Sequence, residues 1–321
     1  MNHQETASAP GLALADGNVA ALAWRDAWRL QARNHPWMTG GLGLALAAMA
    51  LLLGAGIRDG LSSGGEPLRL ALLGGMAGFA ATAIGALAGV TLRQLSQRAE
   101  DSLLGFAAGM MLAASSFSLI LPGLAAAREM TGSGPQAALT VVGGMALGVL
   151  LMLGLDRFTP HEHDSTGPCG PGCERIGRVW LFVLAITLHN LPEGMAIGVS
   201  FAQGDMNVGL PLTSAIAIQD IPEGLAVVMA LRAAGVRAWP AVLMAGASGL
   251  MEPLGALFGA GIAGGLALAY PIGLGLAAGA MIFVVSHEVI PETHRNGHQT
   301  SATVGLMAGF AVMMFLDTAM G

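Results

Sequence analysis

The feature that most constrains this chain is the recurrence, from one end to the other, of apolar runs about 20 residues long, the length a helix needs to cross a bilayer. They fall near residues 37–57, 70–92, 102–125, 136–156, 178–201, 209–231, 238–263, 268–291 and 302–320. In lipid every backbone polar group must be satisfied within the protein, so only helices or a closed barrel can span. The alternating apolar and polar pattern of barrel strands is absent. The expected fold is therefore an all-α polytopic membrane protein, a helical bundle of about nine transmembrane spans. With 54% hydrophobic and 11% charged residues the composition agrees, and 48 glycines suit helices whose backbones approach closely in lipid.

Residues 1–35 read as a polar N-terminal segment with no signal-peptide pattern, and 36–321 as one transmembrane domain that includes a polar loop at 157–177. Arg25, Arg29 and Arg33 recur at helical spacing beside Trp24 and Trp28. That pattern suits a short helix on a membrane surface, though a disordered tail is equally compatible. With the N-terminus inside, eleven arginines fall on the cytoplasmic side and only Arg58, Arg69 and Arg128 outside. The bias favours N-terminus in and C-terminus out. All 14 basic residues are arginine, which excludes a Walker A loop and lysine Schiff-base chemistry. A net charge of −6 gives no electrostatic case for nucleic acid. The two cysteines, Cys169 and Cys173, share one loop and are too few for a disulfide framework.

Against this apolar background two hexamers stand out: His189-Asn190-Leu191-Pro192-Glu193-Gly194 and Gln219-Asp220-Ile221-Pro222-Glu223-Gly224. From Arg178 to Asp205, and from Asp205 to Arg232, the only charged residues are those of the hexamers. Ionisable groups at such depth are costly and by default mark an ion or substrate pathway; the bland alternative is polar glue between helices. On a helix His189, Asn190 and Glu193 face one point, as do Gln219, Asp220 and Glu223. Each proline removes a hydrogen bond and releases a carbonyl four residues earlier, at Leu188 and Ile218. Met251-Glu252-Pro253 adds a third carboxylate beside a proline.

Glu193, Asp220, Glu223 and Glu252, fully ionised together, would repel, so the site must bind protons or metal. Two divalent cations would balance four carboxylates. Imidazole, carboxylate and amide oxygen together suit borderline ions such as Zn²⁺, Fe²⁺, Mn²⁺ or Cd²⁺ rather than an all-oxygen Mg²⁺ or Ca²⁺ cage. A second pattern points to internal symmetry. Gly105-Phe106-Ala107-Ala108-Gly109-Met110-Met111 in the third span resembles Gly275-Leu276-Ala277-Ala278-Gly279-Ala280-Met281 in the eighth, and these spans run in opposite directions. The two hexamer spans do likewise. Inverted repeats of this kind place a substrate site at the midplane where they meet.

The paired hexamers, at this separation and in the middle of apolar spans, resemble the signature of the ZIP (Zrt/Irt-like protein) divalent metal transporters. The likeness is strongest to the bacterial GufA-like branch and extends from about residue 35 to the end. An extra first span before the usual eight fits that branch. The resemblance implies a binuclear centre with His189, Glu193, Glu223 and Met111 on one ion and Asn190, Glu193, Gln219, Asp220, Glu223 and Glu252 on the other. It further implies metal uptake toward the cytoplasm, across a bacterial inner membrane, by sliding of one helix bundle against another. The metal is then cargo, and no catalytic cofactor is expected. A membrane-embedded metalloenzyme or a metal-sensing protein would use the same ligands and stays open at this point.

Further polar residues flank the centre. His287-Glu288-Val289-Ile290-Pro291 is not a zincin motif, because Pro291 replaces the second histidine. His287, Glu288, His294 and His298, with Asp156 and also Asp101, could relay metal to the cytosol, although helix capping would account for several of them. His161, His163, Cys169 and Cys173 have zinc-ligand spacing, but intervening prolines and glycines equally suit a plain connector. Ser118 and Asp317 are candidates for the outer approach, or simple packing residues. Divalent ions and the bilayer are the expected partners; a homodimer stays open, since lipid-facing and subunit-facing stripes share composition.

Overall fold

The structure, a computed structural model, describes residues 24–60, 65–91, 95–159, 161–163, 167–169 and 178–320. Its helices are α1 (Trp24–Asn34), α2 (Pro36–Gly60), α3 (Glu66–Thr91), α4 (Gln97–Ala114), α5 (Leu121–Thr131), α6 (Gly134–Phe158), α7 (Arg178–Ser200) and α8 (Met206–Ala233), followed by α9 (Ala238–Ser248), α10 (Met251–Ala263), α11 (Ala269–Val284), α12 (Ile290–His294) and α13 (Gln299–Met320). Two π-helical turns, π1 (Ser115–Ile120) and π2 (Val285–Val289), join α4 to α5 and α11 to α12. Among the described residues nine spans are long and apolar enough to cross a membrane: α2, α3, α4 through α5, α6, α7, α8, α9 through α10, α11 through α12, and α13. The all-α membrane bundle expected from the apolar runs is what forms.

α1 forms where arginines and tryptophans alternate at helical spacing. It docks on the end of α6, Trp28 stacking on Phe158 and the Gln31 amide donating to the Arg157 carbonyl. The loop after α6 holds a two-stranded antiparallel hairpin, β1 (His161–His163) with β2 (Gly167–Cys169), which hydropathy did not foresee. Trp37, Leu51, Leu139 and Phe315 are exposed, as suits a surface facing lipid. Among the described spans the eighth is the most enclosed and the first the least.

Four seams organise the packing, and glycine builds each one. Between α4 and α13, a side chain on Gly105 or Gly109 would strike the Ala302 or Leu306 carbonyl, and one on Gly305 or Gly309 the Ser102 or Phe106 carbonyl. Between α6 and α11, Gly144 and Gly148 meet the backbone at Ile272 and Leu276, while Gly275 and Gly279 meet Val141 and Met145. Gly194, Gly198, Gly255 and Gly259 do the same between α7 and α10, and Gly85 and Gly224 between α3 and α8, where Gly89 adds a close contact with the Val228 side chain. These are the most extensive helix contacts in the molecule. Without a hydrophobic force to separate protein from lipid, such backbone proximity is what holds membrane helices together.

The seams obey the inverted repeat. Exchanging second with seventh span, third with eighth, fourth with ninth and fifth with sixth converts the α3–α8 seam into α10–α7 and the α6–α11 seam into α13–α4. Two bundles result: α3, α7, α8, α9 and α10 in one, α4, α5, α6, α11, α12 and α13 in the other. They meet across an apolar core that includes Met110, Met111, Ile197, Leu212, Leu274 and Met281. α2 lies outside and touches both, Leu42 against Gly154 of α6 and Gly56 against Gly261 of α10.

Candidate metal centre

α7 and α8 run unbroken through Pro192 and Pro222, so the hexamers keep helical spacing and their polar residues share a face. The glycine ending each hexamer admits a neighbour: Gly194 packs on the Glu252 backbone and Gly224 on the Thr82 backbone. The seventh span differs from the other two. It breaks between α9 and α10, so Glu252 and Pro253 occupy the first turn of a new helix. There a proline sacrifices no hydrogen bond, and the positive end of the helix favours a carboxylate.

One oxygen each of Glu193, Asp220 and Glu223 lies within 4.8 Å of the others. Glu252 joins them from α10: its Oε2 and Asp220 Oδ2 both face Gly78 of α3, whose missing side chain leaves the space they occupy. Asn190, Glu193, Gln219, Asp220 and Glu252 are at most 2% exposed. The Gln219 amide donates to Glu193 Oε1 at 2.5 Å, and the Thr82 hydroxyl to Glu252 Oε1 at 2.7 Å. Even so Glu193 Oε2, Asp220 Oδ2, Glu252 Oε2, Gln219 Oε1 and Asn190 Nδ2 have no hydrogen-bond partner among the described residues. Buried acceptors are normally satisfied, and these four orphaned oxygens, two of them on the clustered carboxylates, form a donor set suited to cations. Met111 is buried in the core between the bundles.

The flanking residues separate into groups. His189 Nε2 lies 2.5 Å from Glu288 Oε2 on π2, so the first hexamer already touches the candidate relay. His287 stacks near Phe283 and its Nε2 approaches Asp156 Oδ1 at 4.0 Å. His298 Nδ1 is 2.8 Å from Asp101 Oδ2, and the Asn296 amide donates to the other Asp101 oxygen. His294 Nδ1 instead sits on the Ile290 carbonyl of its own turn, 2.8 Å away, beside the Thr293 hydroxyl. Ser118 donates to Asp317 Oδ1 at 2.6 Å, linking π1 to α13. In the loop the hairpin register sets His161 opposite Cys169 and His163 opposite Gly167. Cys173 lies outside the described residues.

Both π turns carry residues of interest and both precede a proline. Leu121 N–H donates to the Ser116 carbonyl and Ile290 N–H to the Val285 carbonyl, five residues back in each case. Pro122 and Pro291 follow directly. Such wide turns frequently sit at functional sites, and here they present Ser118 on one and His287 and Glu288 on the other. Thr82, Gly78 and Asn296 were not among the residues singled out from sequence, because Thr82 and Gly78 are small and neutral within an apolar run and Asn296 lies in a stretch that is already polar. For Thr82 one signal did exist, the likeness of Ile84-Gly85-Ala86-Leu87 to Leu254-Gly255-Ala256-Leu257.

A family model described as ZIP zinc transporter matches residues 157–317. The chain is 68% identical to the zinc transporter ZIPB of Bordetella bronchiseptica over 92% of its own length and 96% of that protein's. It is 42% identical to the zinc transporter GufA of Myxococcus xanthus, covering 75% and 95%. Human zinc transporter ZIP11 is 31% identical over 78% of this chain and 97% of its own.

Proposed function

The chain belongs to the ZIP family, in its GufA-like branch, and from that premise we propose that it carries Zn²⁺ across a bacterial inner membrane into the cytoplasm through a binuclear midplane site. What carries this reading is the convergence of Glu193, Asp220 and the half-buried Glu223, with Glu252 alongside, between membrane-spanning helices. Carboxylate, imidazole and amide donors also suit Cd²⁺, Fe²⁺ and Mn²⁺. His189, Glu193, Glu223 and Met111 hold one ion; Asn190, Glu193, Gln219, Asp220, Glu223 and Glu252 hold the other.

Transport proceeds by alternating access. α7, α8 and α10, which bear nearly all the ligands, belong to one glycine-seamed bundle, so the site can move as a unit past the other. Ser118 and Asp317 form the outer approach. On the cytoplasmic side metal passes to Glu288, then to His287 and Asp156, with the Asp101 and His298 pair at the mouth. His161, His163 and the cysteines of the loop offer ligands beyond it. The N-terminus is cytoplasmic and the C-terminus outside, following the arginine bias.

The test is flux of ⁶⁵Zn into proteoliposomes holding the parent chain or Glu223→Ala. Glu223 is shared by both ions, so its loss is expected to reduce flux by about a hundredfold. Equal flux in the two would overturn the midplane site.

A further inference from the structure

The two halves of the metal centre are related by the inverted repeat, and this identifies a contributor that lies outside all the charged motifs. Gly255 packs on Leu191, third residue of the first hexamer, and Gly85 packs on Ile221, third residue of the second. Gly194 closes its hexamer against the carbonyl of Glu252, and Gly224 closes the other against the carbonyl of Thr82. The surrounding sequence agrees, Ile84-Gly85-Ala86-Leu87-Ala88-Gly89 matching Leu254-Gly255-Ala256-Leu257-Phe258-Gly259. Thr82 and Glu252 are thus equivalent positions. They are 170 residues apart, the same offset that relates Gly105 to Gly275.

These equivalent residues also touch. The Thr82 hydroxyl has one proton, and the Glu252 carboxylate at 2.7 Å is the better acceptor than the Gly78 carbonyl at 3.3 Å. Thr82 is 4% exposed and Glu252 fully buried, so water does not compete for the contact. With Oε1 engaged by α3, Oε2 is directed to the space beside Gly78, within which Asp220 Oδ2 also lies. Neither of those two oxygens has another partner among the described residues.

We infer that Thr82 is a positioning residue of the second metal site: its hydroxyl fixes the Glu252 carboxylate so that Oε2 faces Asp220 across the gap Gly78 leaves open. The inference rests on the binuclear reading above. It also accounts for the inequality of the two halves, because the repeat places a carboxylate on α10 and a hydroxyl on α3, and the hydroxyl serves the carboxylate.

The experiment uses the full chain as parent, Thr82→Val, Thr82→Ala and Thr82→Ser, with Zn²⁺ as probe. Bound zinc per chain is measured by equilibrium dialysis, and flux kinetics in proteoliposomes. The parent is expected to bind two ions. Val and Ala variants should weaken the second ion and raise KM by about tenfold or more, with maximal flux within about twofold, as for loss of an outer-shell hydrogen bond. Thr82→Ser should restore parental values. The inference is overturned if Val and Ala variants match the parent, or if Ser is as impaired as they are, since packing and not the hydroxyl would then matter. A parent that binds a single ion, or full flux in Glu223→Ala, would instead sink the binuclear reading beneath it.

Discussion

His189 reaches from one bundle to the other. It belongs to the first hexamer, one turn before Glu193, yet its Nε2 rests against Glu288 of the other bundle. A carboxylate so close to the imidazole would offer an ion held at His189 its next station on the way out. Replacing Glu288 by Gln keeps the shape but removes the charge. Maximal flux in Glu288→Gln is therefore expected to fall by about tenfold while KM holds or drops, because loading is preserved and release is slowed. A raised KM at parental maximal flux, measured with ⁶⁵Zn in proteoliposomes, would place Glu288 on the loading side instead. At this scale the sequence was most informative where a side chain was costly to bury. Glu193, Asp220, Glu223 and Glu252 stood out because a carboxylate is costly to bury in an apolar span. Thr82 and Gly78 did not, since in a glycine- and alanine-rich run a hydroxyl or an absent side chain looks like packing.

Elements were legible to different degrees, for physical reasons. Span positions followed directly from apolar runs, and most of the observed helices extend those runs by a few residues, as with Gly134–Phe158 around 136–156. The π turns were not visible, because one extra residue in a turn leaves mean hydropathy unchanged. Nor was the break between Ser248 and Met251, where apolar residues continue on both sides. The seams were half visible: glycine abundance announced close packing without saying which helices pair. Their energetic weight is testable by contrast. Gly109 would drive any side chain into the Leu306 carbonyl, whereas among the described residues nothing lies within 4 Å of a side chain added at Gly143 on the exposed face of α6. Gly109→Leu should destabilise the protein by about 1–3 kcal/mol or more through forced separation of α4 and α13. Gly143→Leu should leave stability unchanged. Thermal unfolding of the two in detergent, compared with the parent, decides; equal melting temperatures would remove the seam's claimed role.

For the whole molecule the decisive question is whether the bundles move as bodies. The inverted repeat yields two seams of each kind, so internal cohesion is high, while the contact between bundles is made by larger apolar side chains such as Met110, Ile197 and Leu274. Contacts made by long side chains bring the helix backbones less close than the glycine seams do. α2 packs on α6 and on α10, so any relative movement of the bundles would be taken up along it, through Leu42 at one end and Gly56 at the other. Two disulfides separate the alternatives, each built after replacing Cys169 and Cys173 by Ser. A side chain at Gly273 of α11 would lie 3.2 Å from Val199 Cγ1 of α7, a contact across the bundles; one at Gly89 of α3 meets Val228 of α8 within a bundle. Oxidising Gly273→Cys with Val199→Cys should block flux until reductant is added, because it ties the moving site to its support. Oxidising Gly89→Cys with Val228→Cys should leave flux near the parental rate. If the cross-bundle pair forms its disulfide completely and zinc still passes at the parental rate, the bundles do not slide, and the path must open by local motion of the side chains around Glu193 and Glu288.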